Sequence, residues 1–576
     1  MERGAPLSNR ELLQREIGTV YKDWGGRLPV ALAFPNTYYL GMSSLAVHTL
    51  YRLLNSRPDV VCERVFWNGG GAKTGPLRSL ESGRDVGDFS VLAFSVSFEM
   101  DYFNLVAMLR QAGLPLWAGD RDGRHPLLIA GGPAVTANPE PLAPFFDGLA
   151  IGEGEVILPP LIDLLHHAAH EDRPALLAAL AHLPGLYVPD LHQPPDPLTT
   201  RPPNHLTTQP PNHSPPQPIR RQWLRDLDAQ PSTTAVLTPD TEFGDRFLIE
   251  IGRGCGRGCH FCLAGYAYRP PREVSLEVVL REVARGLRHR DRVGLVSAAV
   301  SDHSQIDELA VELRRMGARL SVSSMRVDPV SEPLLRALAE SGTRTLTLAP
   351  EAGSERLRRF INKTQTQDDV LRAADLAARY GFHRLKLYFM IGQPTETEAD
   401  VAAVADLALQ VKARFRGRVA IDATPYVPKA HTPFQRVAMA PAKVIEQRLR
   451  TLRRTLGPRG VAVRADSPAW AAVQGILARG DQWLARVLAR LPDKPSLADW
   501  RRALGDEGLD AQAYLRERQP DERLPWEVVD SGVSQDYLAW AWKQAKAGVA
   551  TPACPPSGCL RCGVCDEAWA LRDHNP

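Results

Sequence analysis

Two stretches of this chain alternate short apolar runs with amphipathic helical patterns, and a proline-dense segment divides them. This alternation constrains the fold more than any other feature, because strands separated by helices pair in parallel and need cover on both faces. In the first stretch, residues 30–34, 60–66, 91–96, 127–130 and 148–151 are predicted strands, with helical patterns such as 43–54 and 102–111 between them. In the second, 246–251, 293–298, 320–324, 345–348, 385–391 and 420–425 are predicted strands, and 276–286, 332–340 and 368–380 are predicted helices. About six β/α units suit a partial barrel better than a complete eightfold one. In the dividing segment, 191–222, the unit Thr-Thr-Arg-Pro-Pro-Asn-His-Leu at 199–206 returns as Thr-Thr-Gln-Pro-Pro-Asn-His-Ser at 207–214. His205 and His213 suggest a metal tract, but a duplicated, disordered linker is the better reading. Beyond 435 strand signals fade, and 444–456, 471–491 and 497–504 read as helices.

The expected architecture is therefore α/β. It comprises an N-terminal extension (1–28), a Rossmann-like domain (29–190), the linker (191–222), a partial (β/α)6 barrel (223–440), a helical region (441–550) and a cysteine-rich tail (551–576). A chain of 576 residues buries several cores without disulfide staples. Lys plus Arg number 69 against 66 Asp plus Glu, a net charge of +3, so no global charge argues for nucleic acid. The first ten residues lack an apolar core of signal-peptide type, and no apolar run is long enough to span a bilayer, so a cytoplasmic enzyme without a membrane partner is expected.

Seven of the eight cysteines fall in two clusters, Cys255/Cys259/Cys262 and Cys554/Cys559/Cys562/Cys565. In a reducing compartment clustered thiols read as metal or catalytic ligands, whereas Cys62, in an apolar run, reads as a small buried hydrophobe. The central trio follows a predicted strand and is threaded by Gly252, Gly254, Gly256 and Gly258. Three thiolates on so pliant a loop wrap one side of an iron–sulfur cube and leave one iron free. Structural zinc normally wants four closed ligands, and His260, adjacent to Cys259, is expected to point elsewhere. The C-terminal four, spaced Cys-x4-Cys-x2-Cys-x2-Cys, suit a second [4Fe–4S] cluster, with a zinc knuckle as the rival.

The Cys-x3-Cys-x2-Cys spacing, with Phe261 before the third cysteine, resembles the radical S-adenosylmethionine (SAM) superfamily. The resemblance implies a [4Fe–4S] cluster on Cys255, Cys259 and Cys262 that cleaves SAM reductively to a 5′-deoxyadenosyl radical, inside a partial barrel that orients it and excludes water. It further implies SAM contacts from Ser301 and Asp302 after the second barrel strand, and from Ser323 and Arg326 after the third. Glu351 or Ser354 after the fourth would hold ribose hydroxyls, and Gly392 after the fifth would face adenine. The run 298–301 replaces the family's usual glycine-rich segment.

The N-terminal stretch resembles cobalamin-binding domains, through Asn36-x-Tyr38-x-x-Gly41, Ser95-x-Ser97, Gly131-Gly132 and Gly152-Glu153-Gly154-Glu155 in matching order. Tyr38 stands at the axial-histidine position, and a neutral phenol is a poor ligand for cobalt. The combined pattern resembles fused cobalamin-binding-domain radical SAM enzymes. It implies cobalamin as a cofactor, methyl transfer to a substrate, and a reductant such as a flavodoxin or ferredoxin. Two alternatives stand beside it. One is radical rearrangement, cyclisation or sulfur insertion without cobalamin. The other is a non-enzymatic, RNA-associated metal protein using the basic run 447–459, for which a solvated helix face is the simpler reading.

Overall fold

The computed structural model describes all residues except 1–6, 68, 70–74, 169, 193–216, 324, 329, 556–557 and 567–576. Most of the expected linker, including both repeats with His205 and His213, and Ser324 lie outside the described residues.

The first sheet is six-stranded and contains β1 (Leu28–Phe34), β2 (Val60–Phe66), β3 (Val91–Ser95), β4 (Leu127–Gly131), β5 (Gly148–Ala150) and β6 (Leu186–Tyr187), in the order β2-β1-β3-β4-β5-β6. All neighbours pair in parallel except β5 and β6. The twofold alternation of β1 explains its central place. Val30, Leu32 and Phe34 enter one apolar core and Ala31 and Ala33 another, so neither face meets water.

A short strand, β7 (Ile219–Arg220), follows. The barrel then opens with β8 (Phe247–Glu250), and a small hairpin of β9 (Gly252–Arg253) and β10 (Arg272–Glu273) frames the cysteine loop. Next come β11 (Arg292–Val296), β12 (Arg319–Val322), β13 (Thr345–Glu351), β14 (Arg384–Ile391), β15 (Arg418–Pro425) and β16 (Ala462–Ala465). They form two parallel sheets, β12-β11-β8 and β13-β14-β15-β16, joined by a bridge between Met325 and Leu348. In β14, Leu385, Leu387, Phe389 and Ile391 are buried against the surrounding helices, while Lys386 and Tyr388 face the partly open interior, where Lys386 pairs with Asp422 of β15 at 2.5 Å. The six expected barrel strands are present, and β16 adds a seventh inside the region read as helical; its four residues are too short and too exposed to carry a strand signal.

The helical region does not form a core of its own. Ile476, Leu477, Leu484, Leu488, Trp500 and Leu515 complete the same apolar cluster as Ala31, Phe94 and Phe146 of the first domain. A last strand, β17 (Val529–Asp530), pairs in parallel with β7. Helix Ala442–Leu456 buries Ile445, Leu449, Leu452 and Leu456, pairs Arg448 with Glu396 and Glu398, and leaves Arg450, Arg453 and Arg454 in solvent. Among the described residues no helix is long and apolar enough to cross a membrane.

Candidate active site at the domain junction

The cysteine loop leaves β8 and turns on Gly254 (φ 80°) and Gly258 (φ 67°), a backbone region that L side chains rarely adopt. Cys255, Cys259 and Cys262 come together there. Burial pushes the Cys262 thiol up to about 12, and the neighbouring Cys259 and Cys255 add to the shift. Three thiolates so close are stable only if cations accompany them, which bound iron supplies. His260 is no ligand. Its Nδ1 faces the Phe360 carbonyl at 3.0 Å and its Nε2 the Thr551 hydroxyl at 3.1 Å, and burial lowers it to about 4, so it is neutral. Cys62 is fully buried, as a core residue.

Beside Cys255, Arg257 grips Asp302 with two 2.8 Å hydrogen bonds, and Arg326 Nε lies 3.5 Å from the same carboxylate. Two guanidiniums on one aspartate leave net positive charge suited to a carboxylate ligand. Ser301, buried, has an Oγ with no hydrogen-bond partner among the described residues, so it is available to a bound amine or hydroxyl. Ser323 is exposed at the end of β12, and Phe261 packs on the cluster containing Phe360 and Phe434.

The other expected SAM contacts are occupied. Ser354 caps its helix by accepting from the Leu357 N–H, and its hydroxyl donates to Asp400. Glu351 pairs with Lys363 at 3.0 Å. Gly392 donates its N–H to Glu396, and a Cβ there would meet Ile445 at 2.9 Å, so it serves a tight turn.

A cavity of about 350 Å³ runs from the first sheet to the cysteine loop. Leu45, Leu50 and Ile157 line one wall and Ala93, Ser95, Gly131, Gly132 and Ala150 another, and it ends on Gly252, Gly254 and Ser297 of the barrel. A smaller cavity of about 180 Å³, bordered by Cys255, Arg257 and Asp302, shares those last three residues.

The Gly152–Glu155 motif lines the larger cavity, but its carboxylates bind arginine. Glu153 pairs with Arg253 and Arg272 at 2.7 Å each, and Glu155 pairs with Arg253 at 2.8 Å. Burial alone would raise Glu153, but Arg272 and Arg253 outweigh it and hold the carboxyl at about 2. These pairs fasten the first domain to the strand that leads into Cys255. A depressed carboxyl contributes stability that is present above its unfolded pKa and lost as pH falls through the folded one. Urea midpoints should therefore drop between about pH 4 and about pH 2, and the Glu153→Gln variant should flatten that slope.

The remaining cobalamin-type residues lie off this cavity. Tyr38 is buried against Phe66 and donates to Glu16 at 2.6 Å, within a buried group in which Arg64 also pairs with Glu16 and Glu81. Asn36 donates to Asp101 at 2.8 Å, a Cβ on Gly41 would strike Phe66 at 2.4 Å, and Ser97 is exposed. The expectation that Asn36, Tyr38 and Gly41 contact a cofactor gives way to a structural role, since hydrogen bonds and packing already engage them.

Residues that pattern reading missed are the arginines 253, 257, 269 and 272, which each also reach a partner far away in sequence (Glu153, Asp302, Tyr537 and Glu153), and Asn362. Asn362 sits at φ 58°, and its Nδ2 donates to the carbonyls of Gly258 and Thr551.

Comparison with known proteins shows the family. Residues 46–189 match the family described as "Radical SAM proteins, N-terminal", and residues 249–408 match the "Radical SAM superfamily". The uncharacterized protein MJ0966 of Methanocaldococcus jannaschii is 31% identical over 466 residues, 80% of this chain and 90% of that protein. The chain belongs to the radical SAM superfamily. As a radical SAM enzyme it uses a [4Fe–4S] cluster and SAM, and the thiols of Cys255, Cys259 and Cys262 fit that cluster. The uncharacterized methyltransferase PH0819 of Pyrococcus horikoshii is 25% identical over 49% of this chain and 57% of its own length. In fold, the chain is similar to the radical SAM methyltransferase TsrM from Kitasatospora setae, in a structure with cobalamin and a [4Fe–4S] cluster bound. The TM-score is 0.51 at 13% identity, covering 84% of this chain and 99% of that one.

Proposed function

We propose that this radical SAM enzyme methylates its substrate with cobalamin held between its first sheet and its barrel. Cysteines 255, 259 and 262 hold the cluster, Arg257 and Arg326 with Asp302 orient the SAM carboxylate, and Ser301 receives its amine. Together, cluster and SAM supply a 5′-deoxyadenosyl radical, and cobalamin supplies the methyl group. The observation that carries the reading is the shared wall. One cavity lined by Ser95, Gly131 and Gly154 of the first domain meets the Cys255 cavity at Gly252, Gly254 and Ser297. Small residues there let a planar macrocycle and its tail approach the backbone. The printed names of PH0819 and TsrM, both methyltransferases, support the same chemistry.

Tyr38, committed to Glu16 and away from the cavity lining, would supply no ligand to a bound cobalamin. The bound corrinoid should therefore lack the spectrum of imidazole coordination. Anaerobic reconstitution with SAM and a reductant should give 5′-deoxyadenosine, and protein made with ample cobalamin should carry corrinoid absorbance. In Ala93→Phe, which fills the cavity, corrinoid content should fall about tenfold while iron content holds. Retained corrinoid in that variant would place the cofactor elsewhere. A cobalamin-free wild type that still makes 5′-deoxyadenosine would favour rearrangement, cyclisation or sulfur insertion.

A further inference from the structure

The segment carrying the four C-terminal cysteines lies directly on the loop of the first three. Cys554 donates its backbone N–H to the Gly256 carbonyl at 2.6 Å, and a Cβ on Gly256 would meet the Cys554 carbonyl at 2.7 Å. Cys255 and Cys554 border the same cavity. Asn362 binds both segments, donating to Gly258 and accepting from the Thr551 N–H at 2.9 Å.

A second bridge passes through Tyr266. Its hydroxyl donates to the Gly258 carbonyl at 3.0 Å, while its ring shares an apolar cluster with Tyr537, Cys562 and Val564. The Arg269 guanidinium lies over both rings, 4.5 Å from the centroid of Tyr266 and 5.1 Å from that of Tyr537. Arg269 is 2% exposed, and its Nη2 would lie 3.3 Å from a Cβ on Gly258. That nitrogen has no acceptor among the described residues. A buried, unsatisfied guanidinium nitrogen is costly unless negative charge stands nearby, and metal-bound thiolates and sulfides provide it.

The outer side of the same four cysteines reaches solvent. Cys559 is partly exposed, Leu560 is 58% exposed and Arg561 is exposed, whereas Cys554, Cys562 and Cys565 are buried.

We propose that Cys554, Cys559, Cys562 and Cys565 hold a second [4Fe–4S] cluster that relays electrons to the first, with Arg269 as the positioning residue between them. The proposal rests on the reading that Cys255, Cys259 and Cys262 hold the first cluster. One electron from a low-potential donor of the flavodoxin or ferredoxin class enters beside Cys559 and reduces the second cluster from 2+ to 1+. It then passes inward, so the second cluster returns to 2+ as the first is reduced to 1+. No proton and no further reactant is required.

The test uses the full chain reconstituted anaerobically with iron and sulfide. Wild type should bind about eight iron and eight sulfide, and Cys559→Ala/Cys565→Ala about four, keeping the paramagnetic signal that SAM perturbs. In that variant, reduction of the first cluster by reduced flavodoxin should slow about tenfold or more, while reduction by dithionite should not. Cys559→Ser alone provides a milder variant should the double variant fold poorly. Arg269→Leu should lower the reduction potential of the cluster that SAM does not perturb, and Arg269→Lys should restore it. The proposal is overturned by about one zinc and four iron in wild type, or by an unchanged flavodoxin rate in the cysteine variants. Cys259→Ala separates the two readings, because it should lose only the SAM-perturbed signal. Loss of no signal in Cys259→Ala would defeat the first-cluster reading instead.

Discussion

The Cys259→Ala variant is expected to form no detectable 5′-deoxyadenosine and to lose about four iron per chain. Cys259 is the middle thiol of the loop and the most enclosed of the three, 8% exposed. Two remaining thiols grip the cube too weakly to keep it, and an alanine methyl group adds no ligand. The neighbouring His260 is no substitute, because both of its ring nitrogens already face partners on other segments. The assay is anaerobic turnover with SAM and dithionite, scored by chromatography, alongside iron and sulfide analysis. Turnover near the wild-type rate would refute the assignment of these thiols to the reactive cluster. Cys62→Ala, altering the isolated buried cysteine, is the control and should keep full turnover.

The second large effect concerns the fastening between domains. Removing the Glu153 carboxylate by Glu153→Ala should cost about 3–5 kcal/mol, because two buried guanidiniums lose a shared partner. Arg253 keeps Glu250 and Glu155, but Arg272 keeps no carboxylate among the described residues, only the carbonyls of Pro270 and Leu224 and the face of the Trp223 ring. The loss should therefore concentrate at Arg272, and adding Arg272→Leu should recover part of it. Urea unfolding of both variants at neutral pH measures this. A change below about 1 kcal/mol would show that the remaining acids neutralise the site unaided. Corrinoid content should fall with stability in Glu153→Ala, since the same glutamate lines the cavity.

Much of this was legible in the residue pattern. The parallel first sheet follows from continuous apolar strands such as Leu127–Gly131, and the barrel from the alternation of Arg384–Ile391 with the helices around it. The three central cysteines were legible because their glycine-rich spacing is rare and local. Long-range partnerships were not. Nothing near Glu153 announces Arg272, 119 residues away, and nothing near Tyr38 announces Glu16 as its acceptor. For the same reason Ser354, which resembles a ribose ligand, is engaged in capping a helix and bonding Asp400. The shared core of the helical region and the first domain was also hidden, because amphipathicity shows that a helix face is buried but not against what.

That shared core bears on how the protein is made. A ribosome releases the first sheet long before Ile476, Leu484 and Trp500, which finish its apolar cover. During synthesis part of that apolar cluster must therefore wait, wet and prone to aggregate, until the far end of the polypeptide emerges. The interval also leaves the central thiols open to an iron donor before the terminal segment seals them. The order of synthesis thus makes closure of the molecule its last step, and a chaperone that shields the waiting face should raise the yield of folded protein.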